Sequence, residues 1–241
     1  MAEQKVALVT GANKGIGKEI ARQLGARGMT VLVGARDQGR GEEAAAELRQ
    51  DGIAAQSIAL DVTDQGSIDA AARQIESNYG RLDVLVNNAG IALDRVPPSQ
   101  LDMETLRRTY DTNVFGVFAV TKAMLPLLKK SEAGRIVNMS SGLGSLTHHS
   151  NLNGAFADVN LLAYNSSKTA LNAVTVQFAV DLKDTGIKVN AADPGYVATD
   201  LNQHRGTRTV QQGATAAVRL ATLPSDGPTA GYFNEDGVVP W

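Results

Sequence analysis

Tyr164 and Lys168 stand four residues apart in a stretch that reads as a long helix, so their side chains share one face. A free phenol has a pKa near 10, too high for efficient proton transfer at neutral pH. A neighbouring ammonium favours the phenolate and pulls that value down. The pair therefore suits a tuned acid–base role, although Tyr-x-x-x-Lys alone is ordinary helix chemistry. Two serines, Ser140 and Ser141, end the apolar run RIVNMS. Adjacent strand residues face opposite sides, so one of the two can reach a reacting oxygen. No histidine stands beside either serine in a nucleophile elbow, which argues against a hydrolase. Near the N-terminus, Thr10-Gly11-Ala12-Asn13-Lys14-Gly15-Ile16-Gly17 follows an apolar run and leads into a helical pattern. Glycine lets an anion approach the backbone, and helix N–H groups favour negative charge. The glycines at 11, 15 and 17 are not spaced as GxGxxG. A tight turn without a ligand is the plain alternative, but its position after a first strand favours a dinucleotide.

The elements that must hold these groups alternate along the chain. Strand patterns fall over 5–10, 30–35, 82–87, 135–140 and 187–192, with a third strand that ends over 58–62 and a short seventh at 232–233. Helical patterns fall over 15–27, 41–50, 64–79, 102–110, 113–130, 164–183 and 209–222, with Asp64 placed to cap its helix. Strand–helix alternation from end to end predicts an α/β fold, a parallel sheet with helices on both faces, in a single domain over 1–241. In such a sheet, ligands bind beyond the carboxyl ends of the strands. The turns after residues 10, 35, 61, 87, 140 and 192 carry the most weight.

Composition narrows the function classes. The 241 residues carry 23 basic and 25 acidic side chains, a formal charge of −2, so no basic surplus exists to bind nucleic acid. No cysteine is present, which excludes disulfides, thiolate metal sites and cysteine nucleophiles and fits a cytoplasmic protein. The longest apolar stretch, 114–128, is broken by Thr121, Lys122 and Pro126, so no membrane partner is expected. The three histidines, His148, His149 and His204, show no ligand spacing, and no metal is expected. The 24 glycines exceed ordinary usage and direct attention to tight turns.

Taken together, the motifs resemble the short-chain dehydrogenase/reductase family. Thr10-Gly11 with Gly15 and Gly17, Asn87-Asn88-Ala89-Gly90, Asn113, Ser140-Ser141, Tyr164 with Lys168, and Pro194-Gly195 with Val197 and Thr199 fall in the family's order across the chain. Gly34-Ala35-Arg36-Asp37, the long segment before Tyr164 and a terminus at Trp241 resemble its carbonyl-reductase branch. The resemblance implies a Rossmann-type doubly wound sheet of about seven strands. It implies catalytic roles for Asn113, Ser141, Tyr164 and Lys168. Tyr164 would donate a proton, Lys168 would lower its pKa and hold the nicotinamide ribose, Ser141 would bond the developing alkoxide, and Asn113 would hold a water linking Lys168 to solvent. It points to Ser141 rather than Ser140.

The same resemblance places the cofactor on Gly11, Asn13, Lys14, Gly15, Ile16, Gly17, Arg36, Asp61, Val62, Asn87, Ala89, Gly90, Tyr164, Lys168, Pro194, Gly195, Val197 and Thr199. Asp61-Val62 resembles the pair that contacts adenine. Arg36 and Lys14 suit a 2′-phosphate, so NADPH is expected over NADH, the alternative being a solvated Arg36 with Asp37 on a ribose. The expected activity is NADPH-dependent reduction of a ketone or aldehyde, a small-molecule carbonyl substrate. The alternatives are oxidation of a hydroxylated metabolite and a non-catalytic sensor that binds NADP. Residues 147–160 are expected to form a lid or wall of the substrate site, and a monomer is favoured over an oligomer.

Overall fold

The computed structural model describes residues 4–241. Seven strands, β1 (Val6–Thr10), β2 (Thr30–Ala35), β3 (Ala55–Ala59), β4 (Val84–Asn87), β5 (Arg135–Met139), β6 (Lys188–Ala192) and β7 (Tyr232–Phe233), form one sheet. Its order is β3-β2-β1-β4-β5-β6-β7, and every neighbouring pair is parallel. Helices α1 (Gly15–Gly25), α2 (Gln38–Gln50), α3 (Gln65–Tyr79), α4 (Met103–Tyr110), α5 (Gly116–Leu128), α6 (Leu146–His149), α7 (Leu162–Asp181) and α8 (Val210–Ala221) connect the strands. This is the doubly wound α/β fold expected from the alternation.

Side-chain alternation along each strand divides the core in two. Ala7, Val9, Val31, Val33, Val84 and Val86 point to one face and meet apolar residues of α1, α2 and α8, such as Ile20, Leu48 and Val218. Leu8, Leu32, Leu85, Ile136 and Val189 point to the other and meet α3, α5 and α7 through Ile68, Met124 and Phe178. Central strands buried on both faces are mostly apolar, which is why β1, β2 and β4 read as near-continuous runs. Asp64 does cap α3, accepting the Ser67 N–H at 2.8 Å.

Two departures from expectation bear on the site. The third strand ends at Ala59, since Asp61 turns the chain by accepting both the N–H and the hydroxyl of Thr63. The helices expected over 102–110 and 113–130 are continuous, because α4 passes through a π-helical turn, Asp111–Phe115, into α5. Such turns insert one extra residue into the helical ladder and are frequent at functional sites. This one carries Asn113. The chain reverses its winding between β1 and β4, so their carboxyl ends open a crevice.

Candidate active site

The crevice is lined first by the glycine turn. Gly11 and Gly15 take left-handed backbone, φ +62° and +56°. A Cβ on Gly11 would stand 2.9 Å from the Ala89 Cα, and one on Gly17 would stand 2.6 Å from the Gly11 carbonyl oxygen. Glycine is thus required where the turn after β1 presses on the turn after β4. Thr10 ties the two turns together, its hydroxyl accepting the N–H groups of Asn88 and Ala89, each at 3.0 Å. Helix α1 begins at Lys14 with no side-chain cap and no acid in its first turn, leaving its first N–H groups open to an anion.

One cavity of about 1220 Å³ runs from this turn to Tyr164. Of the residues expected at a cofactor, Gly11, Asn13, Lys14, Gly15, Ile16, Gly17, Arg36, Asp61, Val62, Ala89, Gly90, Tyr164, Lys168, Pro194 and Thr199 line it. Three do not. Asn87 points into the sheet interior, donating to Thr121 Oγ1 at 3.0 Å and Asn138 Oδ1 at 2.8 Å. Its neighbour Asn88 lines the cavity instead and donates to the carbonyls of Thr10 and Gly11. Gly195 faces away, under the Arg208 side chain. Val197 is buried and pairs with Arg208 through a β-bridge, while Ala198 reaches the cavity wall.

At the far end, α7 brings Tyr164 and Lys168 to one face. Lys168 is buried, and its Nζ donates to the Met139 carbonyl at 2.7 Å and lies 5.6 Å from the centre of the Tyr164 ring. Burial without a carboxylate partner brings its pKa down to about 8. Burial pushes the Tyr164 phenol up to about 12, the nearby Asp193 carboxylate adds to the rise, and a hydrogen bond with Ser141 opposes it. Lys168 is not among the groups acting on the phenol; its ammonium is turned toward the Met139 carbonyl, and desolvation sets the direction.

The two serines have different partners, and Ser140 is the one that lines the cavity. Ser140 is buried and donates to Asn172 Oδ1 at 2.6 Å, whereas Ser141 meets Tyr164. Asn113 is buried near Lys168, and its side chain ties two segments together. It accepts the Ile91 N–H and donates to the Ile91 carbonyl and Ser167 Oγ, all at 2.9 Å. In the 147–160 segment, His148 and His149 pack on Phe156, whose ring reaches the space beside Gly142, next to Ser141.

Sequence reading missed two groups. Asn88 was detectable, since strand alternation in Asn87-Asn88 lets only one face the crevice. Asp94, which accepts the Ala163 N–H at the start of α7, had no local signal. Among the described residues, no three His, Asp or Glu side chains are grouped as a metal site, and no helix is long and apolar enough to cross a membrane.

Comparison with known proteins agrees with this geometry. The family model described as short chain dehydrogenase matches residues 5–209. Short-chain dehydrogenase/reductase 1 of Saponaria officinalis is 36% identical over an alignment of 297 positions covering 100% of this chain and 97% of the relative. Since the chain has 241 residues, that relative carries residues with no counterpart here. A (+)-neomenthol dehydrogenase of Arabidopsis thaliana is 35% identical, with 97% of each chain covered. The solved structure of NADPH-bound carbonyl reductase from chicken fatty liver superposes with a TM-score of 0.86 at 28% identity, covering 100% of both chains. The chain belongs to the short-chain dehydrogenase/reductase family, resembles its carbonyl reductases, and is an oxidoreductase acting on carbonyl or alcohol groups.

Proposed function

We propose that the chain is an NADPH-dependent reductase of ketones and aldehydes with Tyr164 as the proton donor. One observation carries this reading. The half-buried Tyr164, hydrogen-bonded to Ser141, lines the same cavity that the glycine turn opens.

The residues fit a dinucleotide. The bare backbone of Gly11, Gly15 and Gly17 and the uncapped start of α1 suit a pyrophosphate. Asp61 and Val62 line the adenine end, and Pro194 and Thr199 the nicotinamide end. Arg36 and Lys14 line the cavity, Lys14 paired with Asp200 at 2.5 Å, and their positive charges would suit a 2′-phosphate. Asp37 is poorly placed to hold a ribose, since its carboxylate caps α2 by accepting the Arg40 N–H at 3.0 Å.

When bound, the reduced nicotinamide supplies a hydride to the carbonyl carbon. The protein does the rest. Tyr164 gives its proton to the carbonyl oxygen as negative charge develops there, and the Ser141 hydroxyl donates to the same oxygen. The Lys168 ammonium steadies the phenolate left behind and holds the ribose hydroxyls. With its pKa raised to about 12, the phenol keeps its proton at neutral pH, the form a donor requires. The test is NADPH consumption against bulky ketones, aldehydes, quinones and ring ketones. Tyr164→Phe is expected to slow turnover by roughly 10²–10⁴-fold. A variant as fast as the parent overturns the mechanism, and a parent inert toward every carbonyl overturns the activity.

A further inference from the structure

Helix α7 carries Tyr164 in its first turn, yet it begins without a cap of its own. Its N-cap residue is Leu161, with no side-chain hydrogen bond and no acid in the first turn. The N–H groups that open a helix have no partner within it, and here Ala163, among the first of them, is fully buried. Asp94, 69 residues away in sequence, supplies one. Its Oδ2 accepts the N–H of Ala163, the residue before Tyr164, at 2.8 Å. Asp94 is 1% exposed and Ala163 is fully buried. The second oxygen, Oδ1, is buried with no hydrogen-bond partner. An ionisable side chain kept buried and half-satisfied is costly, and a task that offsets the cost is expected.

The surroundings show what that task is. Asp94 belongs to the segment after β4, of which Ile91, Ala92, Leu93 and Arg95 line the cavity. Asn113 holds the near end of this segment through both polar groups of Ile91 and reaches α7 at Ser167. Asp94 holds the far end and reaches α7 at Ala163. The segment and the first two turns of α7 are thus joined at two points, Ala163 and Ser167, that bracket Tyr164. A carboxylate at a helix N-terminus also complements the helix dipole.

We propose that Asp94 is a positioning residue. Capping α7 from the cavity segment, it holds the Tyr164 phenol where a substrate carbonyl bound against 91–95 needs its proton. This rests on the reductase reading for its kinetic consequence but not for its structural one, so the test has two readouts.

The first readout is amide hydrogen exchange over residues 162–166. Asp94→Ala is expected to speed it by about tenfold or more, with β1 and β4 unchanged. Unaltered exchange there overturns the proposal, even if the protein reduces no carbonyl. The second readout is kinetic. Asp94→Ala is expected to lower kcat by roughly ten- to a hundredfold while the Kd for NADPH stays within about twofold, and Asp94→Asn, whose amide oxygen still accepts the N–H, is expected to recover kcat to within about threefold. A kcat for Asp94→Ala close to the parent's, or an NADPH affinity that falls in step with kcat, overturns it. Should Asp94→Ala not fold, Asp94→Glu decides, since it keeps the charge but displaces the oxygen. A lowered kcat with unchanged melting temperature and NADPH affinity supports positioning, and an unchanged kcat refutes it.

Discussion

Lys168→Met should remove a specific pH dependence from the stability of the cofactor-free protein. The lysine is buried with one partner, the Met139 carbonyl, and its pKa falls from 10.5 in the open chain to about 8 in the fold. Below pH 8 both states hold the proton, and the fold bears the full cost of the buried ammonium, about 3 kcal/mol. Between pH 8 and 10.5 the unfolded chain binds the proton and the folded one does not, so stability rises with pH until the cost is gone. From pH 7 to 10 the rise from this group is about 2–3 kcal/mol. Tyr164 acts in a separate window. Its raised pKa contributes stability that is complete below pH 10 and lost between about pH 10 and 12. Methionine has a similar length and no charge, although it leaves the Met139 carbonyl unpaired at a cost of about 1–3 kcal/mol, constant with pH. The assay is urea unfolding of parent and variant at pH 7 and pH 10 without cofactor. The difference between them should shift by about 2–3 kcal/mol in the parent's favour at the higher pH. Equal pH dependence in the two proteins would refute the burial of a charged Lys168.

Three further outcomes follow from the cavity. Arg36→Ala should raise the KM for NADPH by roughly ten- to a hundredfold, the worth of a charge-assisted hydrogen bond, and leave that for NADH within about twofold. Equal losses for both cofactors would defeat the 2′-phosphate assignment. Gly17→Ala should weaken NADPH binding by about tenfold or more in a fluorescence titration, because its Cβ would press on the Gly11 carbonyl at 2.6 Å. Binding at the parent's affinity would show that the turn yields. Asp193→Asn removes a charge that raises the Tyr164 pKa, so the alkaline limb of the kcat profile for carbonyl reduction should move to lower pH. A limb that stays in place or moves up would show that Asp193 does not act on the phenol.

Several features of the protein follow from local pattern alone. The strand–helix alternation reports the parallel sheet because strands covered by helices on both faces are mostly apolar. The glycines at 11, 15 and 17 report the turn because no side chain fits where Gly11 meets Ala89 and Gly17 meets Gly11. The spacing of Tyr164 and Lys168 reports a shared face because the helical repeat is fixed by backbone geometry. Other features depend on what lies across the fold. Asn87 and Asn88 differ only in which side of the sheet they face, and one fills the interior while the other lines the cavity. The phenol's pKa is set by how much water the surrounding segments exclude, so proximity to lysine in sequence could not indicate its direction. The cap of α7 comes from a residue 69 positions away. Repeats of two and 3.6 residues are written into the chain, whereas burial and the partners of buried polar groups arise only when distant segments close on one another.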